Sequence, residues 1–431
     1  MSQDTLTTPS PKKLRIAVQG CCHGELQTIY SEITKRCYAQ NEPLPDLLLV
    51  LGDFQSLRST QDFDSISIPP KYIKLGDFHK YYDGTLVAPI PTLFIGGNHE
   101  NMRHLMSLPY GGYAAENIYY AGFSNCLIFQ SVKIGCLSGI YKWFDFEKPR
   151  PSYNSLESNG LWRDSVRSLY HVRKEDVLPL FMLHGVNIFM SHDWPCGIVK
   201  HGNLTKLLQK KPFFKQDVQR GKLGSEVNWQ LLKHLKPSWW LSAHLHVKFE
   251  AQMVHTDKRR PSTTNDTSLD RKKSKQNKDE IDLDLDLEEN DEEEEEKEEK
   301  EREKNTDANP SRTPVERKST KFLALDKCVK HRQFLDIIEV DVDEEHPTYS
   351  PDHPKLYWDP EFIASLRYLK SNVPAQNKLD KIDFEALARA RGEVKSDTVD
   401  WTEYAIPEFV QGIERKEFEQ TRIFEDKFLN P

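Results

Sequence analysis

The chain has 431 residues, long enough for one large domain and an accessory one, and its 37% hydrophobic content can fill a core. No apolar run approaches the ~20 residues that cross a bilayer, and the polar start MSQDTLTTPSPKK lacks the apolar stretch of a secretory signal, so a soluble intracellular protein is expected. The net charge of −8 conceals a split: residues 279–304 hold 17 acids and 4 bases, and taking away this −13 leaves the rest at +5, compatible with a phosphate-rich partner but not diagnostic of one.

From residue 14 onward, short apolar runs alternate with helical stretches: LRIAVQG (14–20), LLLVLGD (47–53), TLFIGGN (92–98), LIFQSVKIGCLSGI (127–140), VNIFMSHD (186–193) and WWLSAHLH (239–246). Runs of this length bounded by Gly or Asp suit strands buried on both faces, so the expected class is α/β, a sandwich with a mixed sheet at its core. Between 252 and 318 the composition turns to Lys, Asp, Glu, Ser and Thr, which cannot bury enough apolar surface to order itself; a disordered charged insert is expected there. Its clusters KRR (258–260) and RKKSKQNK (271–278) read equally as nuclear import signals or as solvated charge. Apolar alternation resumes in KFLALDKCVKHRQFLDIIEVDVD (321–343), which predicts strands that return to the first domain. YWDPEFIASLRYL (357–369) then predicts a helix opened by Asp or Pro. The expected bounds are 12–251 for the catalytic domain, 252–318 for the insert, 319–345 for the return strands and 346–431 for a mainly helical accessory domain.

The seven cysteines, 21, 22, 37, 126, 136, 196 and 328, have no regular spacing, which argues against a disulfide framework; most read as small buried hydrophobes. Cys21 is different, because it stands with His23 at the end of the first apolar run. Four more runs end on side chains that ligate metals: Asp53, Asn98 with His99, His192, and His244 with His246. A lone His at a strand end is usually structural, but five such ends in one chain are not. Imidazole, carboxylate and amide oxygen together suit zinc, iron(II) or manganese, and a shared Asp53 can bridge two ions in a phosphoester-cleaving site. Gly20, Gly52 and Gly97 sit just before these residues, where backbone must turn sharply without a Cβ in the way.

The whole pattern resembles the calcineurin-like metallophosphoesterase superfamily. Its first motif is ordinarily Asp-x-His; Cys21 in the Asp position resembles the RNA lariat debranching enzymes, as do GCCHGEL, LGDFQSLR, IGGNHEN, YYAGFSN, LSGIYKWFDF, RSLYHVR and MSHDWP. The resemblance covers about 12–250, resumes near 320 and reaches the tail around YWDPEF more weakly. It implies a metallophosphoesterase β-sandwich flanked by helices and two divalent ions, iron(II) and zinc, with manganese able to substitute. Cys21, His23, Asp53 and His246 would surround one ion, and Asp53, Asn98, His192 and His244 the other. Cys21 is read either as a thiolate ligand or as a thiol that leaves its ion weakly held. His99 would be no ligand but a charged group beside the phosphate, with a packed histidine as the competing reading.

The implied reaction is attack of a metal-activated hydroxide on the 2′–5′ phosphodiester at the branch of an excised intron lariat, leaving a linear intron with a 5′ phosphate. His99 would protonate the leaving 2′ oxygen. For gripping the branch, the segment from 113 to 171 offers aromatic and basic residues, with Tyr141, Lys142, Trp143, His171 and Arg173 as candidate contacts, while many of its aromatics, those of GGYAAENIYYAG among them, read equally as core. A protein phosphatase or a nuclease of the same fold would ordinarily keep Asp at position 21, and a non-catalytic scaffold tends to lose ligating histidines. The partner expected is branched lariat RNA, with splicing or RNA-turnover proteins at the C-terminal region, no membrane, and a monomeric state. The nucleus is the expected location, with the cytoplasm as a second.

Overall fold

The computed structural model describes residues 12–255, 318–374, 378–409 and 417–430. Most of the expected charged insert, both of its basic clusters included, lies outside them.

Each apolar run is a strand. β1 (Lys13–Gln19), β2 (Leu47–Val50) and β3 (Thr92–Phe94) lie parallel, followed by β4 (Gly112–Ala115) and β5 (Ile118–Tyr120). The hairpin β6 (Ser124–Phe129) and β7 (Val132–Leu137) leads to β8 (Ile188–Ser191), β9 (Trp239–Ser242) and β10 (Phe249–Val254). Beyond the charged segment come β11 (Ser319–Ala324), β12 (Leu335–Asp341) and β13 (Leu356–Trp358). One sheet runs β12-β1-β2-β3-β5-β4 and the other β10-β11-β9-β8-β7-β6-β13. In both, the central strands are parallel and the outermost antiparallel. All four residues of β2 are fully buried, which is why its sequence is continuously apolar rather than alternating.

The helix Leu26–Gln40 follows β1 and buries Leu26, Ile29, Tyr30, Ile33 and Cys37, one stripe at helical spacing, against a cluster that includes Ala17, Leu48, Val50 and Phe94. It stops at Asn41, whose φ of 54° places it in the left-handed region that ends many helices. All seven cysteines are free and buried.

The return strands behave as their alternation predicts. β12 pairs with β1 over Lys13↔Asp341 to Gln19↔Leu335, and β11 inserts between β9 and β10. The tail is mainly helical, as expected, and also contributes a strand. It adds β13 to the edge of β6, pairing Leu356↔Phe129 through Trp358↔Leu127, and belongs to the same compact unit as the sheets. The helix Pro360–Ser371 opens as expected, with Asp359 accepting from Phe362 N at 2.7 Å and Pro360 in the first turn. Beneath it, the largely buried Lys133 ammonium meets Asp359 at 3.0 Å and Glu361 at 2.7 Å; Glu361 also takes His184 and Arg391. At the other end of the tail, Glu417 accepts from Tyr82 Oη at 3.1 Å, and the Gln420 amide bonds both backbone groups of Tyr113.

Candidate metal centre

Parallel strands bring their carboxyl ends to one edge of each sheet, where loops are free to carry function. Cys21 and His23 follow β1, Asp53 follows β2, Asn98 and His99 follow β3, His192 follows β8, and His244 and His246 follow β9. The two sheets are tied at this edge: His192 Nδ1–H donates to the Leu51 carbonyl at 2.7 Å, and Gly139 N donates to the Gly96 carbonyl at 2.8 Å.

The ligand atoms of Cys21, His23, Asp53 and His246 all lie within 4.8 Å of one another. On the other side of Asp53, His192 Nε2 stands 3.4 Å from Oδ1 and 3.2 Å from Asn98 Oδ1, and the His244 ring centre is 5.0 Å from that of His192. Asp53 thus stands between two donor sets. Its Oδ1 accepts the His99 N–H at 2.9 Å, while its buried Oδ2 accepts no hydrogen bond. A buried carboxylate oxygen without a donor, facing histidines, is the vacancy in bonding that a cation fills.

The glycines act as the spacing predicts. Gly52 has φ +109°, and a Cβ there would collide with the His192 ring; one on Gly97 would press on Asp53 and His192. Four candidate ligands are themselves in the left-handed region, with φ of 51° at His23, 48° at Asp53, 65° at His244 and 49° at His246. Side chains seldom adopt this conformation, and clusters of it mark functional sites.

Electrostatics favour the ligating protonation states. Burial would push the Asp53 carboxyl up, but His192, His99 and His23 together with the His99 N–H hold it well below the usual carboxylate range. Burial pushes His23 down to about 4 and lowers His192, His244 and His246, so these rings are neutral with a lone pair to give. The Cys21 thiol is pushed far up by burial and then by Asp53, and its Sγ accepts the His244 N–H at 3.3 Å. Without a cation beside it, Cys21 is a thiol, which leaves both readings of that residue standing.

His99 is placed apart. Its Nδ1–H donates to the Ser67 carbonyl at 2.7 Å, and its Nε2 lies 3.0 Å from the Asn98 amide nitrogen. With Nδ1–H committed to a carbonyl, Nε2 is the ring nitrogen left to face the Asn98 side chain.

The loop after β7 carries Tyr141, Lys142 and Trp143 beside the centre. Asp193, the residue after His192, is buried beside it: burial pushes its carboxyl up to about 6 against the pull of the Lys142 charge, which also acts on His244. Trp143 is 76% exposed and Phe144 47%, with ring centres 5.8 Å apart. Arg173 requires correction as an RNA contact. It is 2% exposed, and its two terminal nitrogens donate to the carbonyls of Asp145 and Ser168, which leaves them turned away from solvent. His171 is also buried, its Nδ1 held by Asp145 at 2.7 Å, so it supports the Trp143 loop from beneath. Tyr119 and Tyr120 are core residues of β5, so for these two aromatics of the 113–171 segment the core reading holds.

Two residues of the site were not singled out by the sequence. Glu100, wholly buried, accepts Phe54 N, Gln55 N and Gly97 N at 2.7, 2.8 and 2.9 Å, binding the Asp53 loop to the Asn98 loop. Gln55 reaches His23. Both lie within the quoted GNHE and GDFQ stretches, but nothing in residue type alone says that they face inward.

The donor set fits divalent metal ions, as the calcineurin-like phosphoesterase fold implies: neutral imidazoles, an ionised carboxylate without a donor on Oδ2, and an amide oxygen. Comparison with known proteins agrees. Residues 14–248 match the family model of calcineurin-like phosphoesterases, and residues 317–427 match that of the C-terminal domain of lariat debranching enzymes. The chain is 47% identical over 420 residues to the lariat debranching enzyme of Saccharomyces cerevisiae, covering 97% of this chain and 99% of that one. It is 39% identical to that of Schizosaccharomyces pombe, covering 82% and 78%, and 40% identical to that of Homo sapiens, covering 88% of this chain and 60% of the human one. A Cys-x-His centre at the carboxyl ends of two sheets, braced by a tail of matching kind, makes this chain a member of the lariat debranching enzyme family of calcineurin-like phosphoesterases.

Proposed function

We infer that the protein hydrolyses the 2′–5′ phosphodiester at the branch of excised intron lariat RNA, leaving a linear intron with a 5′ phosphate. The observation that carries this is the Cys21, His23, Asp53 and His246 cluster in a chain alike to lariat debranching enzymes over almost its whole length. Iron(II) and zinc are the proposed pair, with manganese as a substitute, since imidazole-rich sites with one carboxylate and one sulfur favour these over magnesium. Such ions, when bound, lower the pKa of water and stabilise charge on the attacked phosphate.

The chain's own residues do the rest. Asp53 and Asn98 would hold the ions against which the phosphate is set, and so fix its place between the two donor sets. His99 Nε2 delivers a proton to the departing 2′ oxygen, while the Ser67 carbonyl keeps Nδ1–H in place and so fixes which nitrogen faces the substrate. Exposed Trp143 and Phe144 stack bases beside the branch, and Lys142 supplies charge to a phosphate. We place the protein in the nucleus as a monomer, with protein partners at the C-terminal region; no helix among the described residues is long and apolar enough to cross a membrane.

The test is cleavage of a synthetic branched RNA beside a matched linear RNA and a phosphopeptide, by wild type and His99→Ala reconstituted with each metal. Selective opening of the 2′–5′ link, reduced ~10²–10⁴-fold in the variant, is expected. Turnover of the linear RNA or the peptide instead overturns the substrate while keeping the centre.

A further inference from the structure

Gln55 is held as firmly as the candidate ligands. Its N–H donates to Glu100 Oε2 at 2.8 Å, its φ is +59°, and it is 6% exposed. Its side-chain nitrogen lies 3.1 Å from His23 Nδ1. On the far side of that ring, His23 Nε2 stands 3.5 Å from His246 Nε2 and 3.8 Å from Asp53 Oδ2.

A neutral imidazole carries one ring proton, and the partner of one nitrogen decides where it sits. When the Gln55 amide donates to Nδ1, the proton is on Nε2, the atom that faces His246 and Asp53, and no lone pair is offered there. When the amide turns half a revolution about its last bond, its oxygen accepts Nδ1–H and Nε2 presents its lone pair to the cluster. His192 has no such choice. Its Nδ1–H is fixed by the Leu51 carbonyl, which can only accept, so its Nε2 is permanently available.

We propose that Gln55 is a positioning residue with two settings, whose amide orientation fixes the tautomer of His23 and thereby admits a divalent cation to the Cys21 site or keeps it out. The site around His192 is set once, by backbone; the site around Cys21 and His23 is set by a side chain that can turn. The inference rests on the reading of His23 as a ligand, but not on the identity of the substrate.

Two substitutions and one spectroscopic measurement on the full chain test it. Gln55→Met removes donor and acceptor at similar length, while Gln55→Glu can only accept. Zinc or manganese affinity at each site is read by chelator competition, and the ring proton of His23 by long-range 15N–1H correlation with and without metal. Gln55→Met is expected to weaken one site 10–100-fold and spare the other. Gln55→Glu should bind at least as tightly as wild type and show Nδ1–H before metal is added, where the wild type shows Nε2–H. Wild-type affinity in Gln55→Met, an equal loss in both variants, or a wild-type His23 already in the Nδ1–H form without metal overturns the proposal. Should Gln55→Met not fold, the wild-type tautomer with and without metal decides it. If His23→Ala leaves both sites intact, the ligand reading itself fails; if His23→Ala abolishes a site that Gln55→Met leaves alone, only the two-setting role falls.

Discussion

Gly97→Ala tests whether the bridging carboxylate tolerates displacement. The backbone of Gly97 is not left-handed, so alanine meets no conformational objection there, and the effect must come from the added methyl. That carbon would lie 2.5 Å from Asp53 N and 2.7 Å from His192 Cε1 and would press on Asp53 Oδ1 as well. Ordinary contacts for a methyl begin beyond about 3 Å, so Asp53 or His192 must retreat by roughly 0.5–1 Å, and crowding of this kind costs about 1–3 kcal/mol of stability. A displacement near 1 Å at a reacting centre costs on the order of 10²-fold in rate. The assay pairs branched-RNA turnover with metal content by mass spectrometry and a thermal melt. Loss of rate and of bound metal, with the fold retained, is expected. Gly160→Ala is the control: its φ of +62° makes alanine strained but nothing lies within 4 Å, so it should cost about 1 kcal/mol of stability and no metal. A Gly97→Ala protein with wild-type rate and metal content refutes the packing argument.

Trp143→Ala removes an exposed ring, so stability should change by less than about 0.5 kcal/mol, while KM for branched RNA should rise by ~5–100-fold if the ring stacks a base at ~1–3 kcal/mol; equal kinetics would show that the ring touches no substrate. Truncation after Lys355 removes Asp359 and Glu361 from the largely buried Lys133 and strips β13 from the edge of β6. Leaving a buried charge unpaired costs about 3–5 kcal/mol, read as a fall in Tm, and full stability in the truncated chain would show that the tail is dispensable. Acid stability follows from Glu361. Burial opposes its charge, but Lys133 and His184 hold the carboxyl down to about 2 from an ordinary 4.5. The depressed value means that its contribution is present above pH 4.5 and is lost as pH falls toward 2. Urea melts should therefore show the advantage of wild type over Glu361→Gln shrinking across that window; a constant gap would contradict it.

The catalytic strands were legible because both sheets bury their central strands on two faces and so write them as unbroken apolar runs. β4 and β5 were not. GGYAAENIYYAG mixes small and aromatic residues and suits both a base-stacking surface and core; Tyr119 and Tyr120 take the second. The ligand set was legible for a different reason, that each candidate ends a strand after a glycine or a small residue. Gln55 and Glu100 escaped because their roles depend on which groups from another loop come to face them, and sequence spacing carries no such information. Arg173 misled for the converse reason: a basic residue beside aromatic ones looks like a phosphate contact, yet here it is buried and donates to the carbonyls of Asp145 and Ser168. The tail's helix start was clear from Asp359 and Pro360, whereas its strand, three residues long, has no pattern to detect.

The pairing of β10 with β11 bears on how this chain can change. Val254 registers with Ser319, and His255 N still donates to the Lys318 carbonyl at 2.9 Å, so the two ends of the intervening segment are already neighbours. The ladder holds the two ends together, and closure entropy grows slowly with the length of chain between two fixed ends, by about 0.6 kcal/mol per doubling. The run from His246 to Val254 also carries the chain away from the ligand loops before the segment departs. Chain can therefore be added between these two fixed ends at little cost in closure, and an experimenter can splice a fluorescent reporter there on the same grounds.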